Sequence, residues 1–159
     1  MAEHCSCYSA IFPVILRGEK GRKEVLLHLR QNTGYMDGRW DFAGSGHVED
    51  EHATQALIRE CAEEIGITVN PADARFVHLA NRLGREGLRT YYDMYFLIER
   101  FEGIPVINEP DKCAELRWFP LTALPDSMIP LRRLALENIQ KGIVYSECMN
   151  EHDKGGTNA

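Results

Sequence analysis

What this sequence lacks narrows its class first. No apolar run approaches the ~20 residues that a membrane-crossing helix needs. The opening residues do not place a charged segment before a long apolar one, so no secretory leader is expected. Positive charge is not in excess: 18 Lys and Arg face 24 Asp and Glu, a formal net charge of −6. Phosphate backbones need a basic footprint, so nucleic acid is not expected as a partner. A disulfide framework is missing too. The cysteines are Cys5, Cys7, Cys61, Cys113 and Cys148, an odd number without framework spacing, which fits free thiols in a reducing cytoplasm. His4, Cys5 and Cys7 lie close together, but no second ligand pair follows at zinc spacing. No internal repeat is visible.

What is present is an ordinary globular composition, 44% hydrophobic and 26% charged over 159 residues. That length predicts one domain with a real core. We place it at residues 1–146, with 147–159 as a polar tail expected to be disordered.

Strand-forming segments run from Cys7 to Arg17 and from Lys23 to Arg30, and read as a hairpin with Pro13 at an edge or bulge. Arg75–Arg82, Thr90–Glu99 and Glu115–Pro120 read as further strands, with a Gly-bearing loop from Leu83 to Leu88. Trp40-Asp41-Phe42 is expected to pack against the sheet. A late helix opens at Pro130 and runs to about Lys141, with Leu131, Leu134, Ala135 and Ile139 at helical spacing. Strands broken by two helices predict an α/β/α sandwich around a mixed sheet.

The chemistry concentrates in Gly44–Ile67, GSGHVEDEHATQALIRECAEEIGI. On a helical wheel with Glu60 at the origin, Glu63 falls near 300° and Glu64 near 40°, about one face. Leu57, Ile58, Cys61 and Ile65 form the neighbouring core face, and Ala53 and Ala56 share the carboxylate side, where small residues leave room for a ligand. Like charges at this spacing cost helix stability. A hard divalent cation among them supplies the reason, since such ions take oxygen ligands. Arg59 can hold a carboxylate through its planar fork, and Gly66 is placed to end the helix. A solvated Glu-rich face is the plainer reading of an isolated REXXEE. His47 is a candidate base, although a residue there is more often a strand position.

The segment resembles the Nudix box, GX5EX7REUXEEXGU, with U a bulky aliphatic residue. Glu51, seven residues, then Arg59 to Ile67 follow the pattern, with Cys61 at the first aliphatic position. The start departs: Ser45 stands six residues before Glu51, and aligning Gly46-His47-Val48-Glu49 with the usual GHVE leaves the loop at Asp50 one residue short.

The resemblance implies a Nudix-type α/β/α sandwich and a diphosphohydrolase acting on a nucleoside diphosphate linked to another group. It implies Mg²⁺, with Mn²⁺ as a possible substitute. Gly46, Glu60, Glu63 and Glu64 become the metal set, Glu60 or Glu63 the base, Arg59 the orienter and Glu51 a structural partner. Glu109, Asp111 and Glu115 are candidates for a further distal acid. Such a protein is expected to be cytoplasmic, with a small phosphorylated substrate and a possible homodimer. The other reading is a Nudix-type module that senses a nucleotide without cleaving it. An isoprenyl-diphosphate isomerase on the same fold would need a catalytic Cys beyond the box. Markers for particular substrates are lacking. Tyr91, Tyr92 and Tyr95 can stack a base or serve the core.

Overall fold

The computed structural model describes residues 4–84 and 88–150. Its strands are β1 (Tyr8–Arg17), β2 (Glu24–Arg30), β3 (Trp40–Phe42), β4 (Gly46–His47), β5 (Arg75–Leu83), β6 (Tyr91–Ile98), β7 (Cys113–Pro120) and β8 (Tyr145–Met149). The helices are α1 (Ala53–Ile65) and α2 (Pro130–Gln140). The main sheet path is β3-β2-β1-β6-β5-β8, with β4 added to β1 and β7 to β2. Pairing is mixed: β1 with β6 and β5 with β8 are parallel, the others antiparallel.

Two cores lie on the two sides of the sheet. Leu57, Cys61 and Ile65 of α1 join Ile11, Ile15, Leu26 and Ile98. Ala135 and Leu136 of α2 join Phe12, Val14, Leu27 and Phe42. Successive residues of a strand point to opposite faces, so β1 feeds both. The predicted α/β/α sandwich is therefore the fold.

Several expectations need correction. β1 and β2 pair only at Leu16↔Val25 and Arg17↔Glu24. Most of β1 runs parallel to β6. Pro13 is thus on a central strand, facing Phe96. It is tolerated because the other side of β1 is taken by β4 at Ala10 and Ile11 and by β2 only from Leu16. The gap between them needs no N–H from residue 13. The apolar stripe of α2 is turned by one residue. Arg132, Ala135 and Leu136 are buried, while Leu134 is 45% exposed. The expected start of the tail also fails: Glu147, Cys148 and Met149 pair with Asn81, Arg82 and Leu83 in β8. Residues 151–159 of that tail, and 85–87 of the predicted loop, lie outside the described residues.

Candidate active site

The box loop and α1 come together because the loop is pinned at both ends. β3 is held by β2, with Asp41 opposite His28. Gly46 and His47 then pair with Ile11 and Ala10 of β1, and the Val48 N–H donates to Ser9 O at 2.9 Å. The shortened turn closes through Asp50, whose φ of 40° lies in the left-handed region, which Asp tolerates better than most residues. α1 starts with the His52 N–H donating to Gln55 Oε1 at 3.0 Å. It ends at Gly66, φ 68°, whose N–H donates to Ala62 O at 3.2 Å.

The last carbonyls of a helix lack internal partners, and here a distant loop takes them. The N–H groups of Val106 and Asn108 donate to Ile65 O at 3.0 Å and Glu64 O at 3.1 Å, and Asn108 Nδ2 donates to Ala62 O at 3.3 Å. This docking brings Glu109 to the carboxylates, and its charge bears on both Glu60 and Glu64. Glu115 is turned to Arg117 instead, and Asp111 offers its backbone carbonyl to Asn32 Nδ2. Of the three distal acids, Glu109 is the one that reaches the cluster.

Arg59 is the hub. It donates from Nη2 to Glu51 Oε1 and from Nη1 to Glu60 Oε1, both at 2.6 Å, and from Nη1 to Glu63 Oε2 at 3.2 Å. The hydrogen bond from Arg59 holds the Glu51 carboxyl below its ordinary range. Burial pushes Glu60 up, despite Arg59. Burial also pushes the Glu64 carboxyl up to about 8, with Glu60 and Glu109 adding to it and the Gly44 N–H, 3.0 Å from Oε2, opposing. Glu63 stays exposed. Among the described residues no three acidic, imidazole or thiol side chains already converge as a ligand set, since Glu60 and Glu63 face Arg59 and Glu64 faces Gly44. The donors nevertheless suit a hard divalent cation: all are oxygens, and their mutual repulsion is relieved by positive charge. Gly46 is fitted to this cluster, because a Cβ there would lie 2.5 Å from the Glu60 carboxyl.

One sequence expectation about α1 changes, and one on Cys61 agrees with the structure. Ala56 is fully buried and Ala53 packs on the core below the sheet, so neither makes room for a ligand. Cys61 is also fully buried, and burial pushes its thiol up to about 12. It is a core residue, not a reactive one.

A cavity of about 530 Å³ opens beside the cluster, within the range of small-molecule sites. Its walls include Tyr8, Ala10, Phe12, Leu88 and Tyr91, and it reaches Ser45, Gly46 and His47. Across His47 lies an acidic hollow formed with Glu49, Asp50, Glu51, Arg59 and Glu60. The cavity floor is a buried ionic network that the sequence reading missed. Arg132 joins Asp41 and Asp93, Arg82 joins Asp93, and Arg30 joins Asp41 at 3.0–3.2 Å. Burial works against the Asp41 charge, and Arg132, Arg30 and His28 overcome it, holding this carboxyl below its ordinary range. Arg30 is aimed inward by a register shift of β2 between Leu29 and Arg30. Tyr91 faces the cavity, Tyr95 is core, and Tyr92 is 39% exposed. Trp40 is core, its ring edge-on to Phe119 at 4.7 Å.

Among the described residues no helix is long and apolar enough to cross a membrane. No curated protein matches the chain. Solved structures do. A MutT NUDIX hydrolase from Burkholderia pseudomallei is 26% identical at a TM-score of 0.72, over 83% of this chain and 97% of that one. A MutT protein from Methanosarcina mazei Go1 is 21% identical at 0.71, over 88% and 97%. The NUDIX domain of Shewanella oneidensis NrtR, complexed with ADP ribose, is 19% identical at 0.64, over 87% of each. The last two likenesses speak for the fold. The NUDIX domain family itself matches residues 8–139, and with the box helix, its Arg59 hub and the adjoining cavity on one sheet, the chain belongs to that family.

Proposed function

We propose that the protein is a divalent-metal-dependent diphosphohydrolase whose substrate is a nucleoside diphosphate carrying a further group. The observation that carries this reading is the placement of Glu60 against Gly46, which lines the cavity, with Glu64 held by the Gly44 N–H at 3.0 Å and its carboxyl pushed up by burial, Glu60 and Glu109 to about 8. A site left this electrostatically unfavourable invites a cation. Glu60, Glu63, Glu64 and the Gly46 carbonyl would hold Mg²⁺, or Mn²⁺ in its place. When bound, such an ion neutralises phosphate oxygens and lowers the pKa of its water.

The chain's own residues supply the rest. Arg59 gathers Glu51, Glu60 and Glu63 and keeps them oriented. Glu60, half-buried beside Gly46 and with a raised pKa, is the better placed carboxylate to take a proton from the attacking water; Glu63 is the exposed alternative. The cavity takes the organic part of the substrate, and the ridge at Gly46–His47 leads its phosphates to the carboxylates. The reading of a module that binds without cleaving drew on the irregular start of the box. That loop nevertheless keeps Gly44 on Glu64 and Gly46 against Glu60, which favours hydrolysis.

A phosphate-release screen across nucleotides and nucleotide-linked compounds, with Mg²⁺ and with Mn²⁺, tests the proposal. Metal-dependent cleavage of at least one such compound is expected. Saturable binding with no cleavage of any would favour the sensing module.

A further inference from the structure

Glu109 reaches the carboxylate cluster although little holds its own side chain. Among the described residues its carboxylate meets Lys112 Nζ at 3.7 Å, a long and exposed pair. Such pairs fix a side chain weakly. The backbone on either side of Glu109 does the holding instead.

On one side the end of α1 takes the chain. Asn108 donates through its N–H to Glu64 O at 3.1 Å and through Nδ2 to Ala62 O at 3.3 Å. Gly66 admits this approach, since a Cβ there would stand 3.1 Å from Val106 Cγ2 and 3.3 Å from Asn108 Nδ2. On the other side, two residues just past β2 take three consecutive carbonyls. The Gln31 N–H donates to Lys112 O at 3.0 Å, Gln31 Nε2 to Pro110 O at 2.7 Å and Asn32 Nδ2 to Asp111 O at 3.0 Å. Asn32 has a left-handed backbone, φ 53°, which Asn adopts more readily than most residues. Between the two ties, Glu109 O accepts the Lys112 and Cys113 N–H groups, both at 3.1 Å, and closes the turn.

The loop that Gln31 and Asn32 open is also a wall of the cavity. Arg30 Nε donates to Tyr35 O at 2.8 Å and Nη2 to Thr33 Oγ1 at 3.0 Å, and both Arg30 and Tyr35 line the cavity. One loop therefore borders the cavity and holds the segment that carries Glu109. The pull of a carboxylate on a cation falls with distance. Where the backbone sets Glu109 down thus bears on any cation that the cluster takes up, and partners that orient a site's acids matter nearly as much as the acids.

We propose that Gln31 and Asn32 are positioning residues that hold Glu109 beside Glu60 and Glu64, so that affinity for the divalent cation depends on two side chains of the cavity loop that lie outside the cluster. This deepens the hydrolase reading and rests on its metal site.

A double-mutant cycle in Mn²⁺ affinity, read by electron paramagnetic resonance on the full chain without substrate, tests the proposal. Gln31→Ala removes one side-chain donor. Asn32→Gly removes the other and keeps the left-handed backbone. Together they are expected to weaken Mn²⁺ binding about tenfold. In a Glu109→Gln background, itself weakened, the same pair is expected to change the affinity by less than about twofold, because the side chain that it positions no longer carries charge. A general loosening of the fold would weaken both backgrounds equally. If the double variant does not fold, Gln31→Ala alone goes through the same cycle, with a smaller loss expected. Unchanged affinity in the variant, an equal loss in both backgrounds, or a Glu109→Gln protein that binds Mn²⁺ as the wild type does would overturn the proposal. The two readings fail separately. Mn²⁺ binding without this coupling counts against Gln31 and Asn32 alone, whereas a wild type that binds no Mn²⁺ counts against the hydrolase reading and takes the proposal with it.

Discussion

The Gly44 N–H donates to Glu64 Oε2 at 3.0 Å, tying the shortened box loop to the helix at the carboxyl that is pushed up to about 8. Burial is the main cause, so this group favours its protonated form in the folded chain and titrates near 4.5 when unfolded. A raised folded pKa adds stability below the unfolded value, and that stability is lost as pH climbs through the folded value. The metal-free protein should therefore lose melting temperature between about pH 4.5 and pH 8. Glu64→Gln keeps an acceptor for Gly44 without the charge, and should flatten that dependence. Added Mg²⁺ should restore the wild type at pH 8 and leave Glu64→Gln little changed.

Gly46 has no positive φ, so alanine there is a steric test and not a backbone one. Its Cβ would meet the Glu60 carboxyl at 2.5 Å. Gly46→Ala should cost about 1–3 kcal/mol of stability, as overpacking does. It should also weaken Mn²⁺ binding, read by electron paramagnetic resonance, because Glu60 is displaced.

Arg59 touches three carboxylates, and no single one accounts for it. Arg59→Gln should leave Glu51, Glu60 and Glu63 without their common partner. Misplacing reacting groups by about 1 Å can cost ~10² in rate, and a loss of that order in kcat is expected. Arg59→Lys should recover only part of it, since an ammonium lacks the fork. Steady-state kinetics beside a thermal melt separates this from unfolding.

Asp93, 1% exposed, faces Arg82 at 3.0 Å and Arg132 at 3.0 Å. Removing one side of a buried ionic network leaves charge uncompensated, so Asp93→Ala should cost about 3–5 kcal/mol. Chemical denaturation measures it. A cost near zero would mean that water or the neighbouring side chains take over its role.

The sequence told most where a pattern was local. The carboxylate helix from Ala53 to Ile65, its Gly66 stop and the five long strands β1, β2, β5, β6 and β7 follow from periodicity and capping over a few residues. What was not legible depends on partners far along the chain. Arg132 was not singled out in the sequence, because its partners Asp41 and Asp93 lie 91 and 39 residues away. The strand Tyr145–Met149 has no apolar alternation, since its partner is the single strand β5 at the sheet edge. Its last three residues, Glu147 to Met149, were read as tail for that reason. Glu109 was one of three candidate distal acids, and only the docking of Val106 and Asn108 on the end of α1 distinguishes it. Asp50 sits where the box is short, and the left-handed φ that closes the loop leaves no mark in sequence beyond an Asp able to adopt it.

The central claim is that the Glu60–Glu63–Glu64 cluster performs metal-dependent cleavage of a diphosphate bond. The most direct measurement is Mg²⁺-dependent product formation from the best substrate of the screen, by wild type and by Glu64→Gln, with both shown to be folded by circular dichroism. The account predicts turnover in the wild type that disappears on chelation, and near-complete loss in Glu64→Gln. Unchanged activity in a folded Glu64→Gln protein would contradict it.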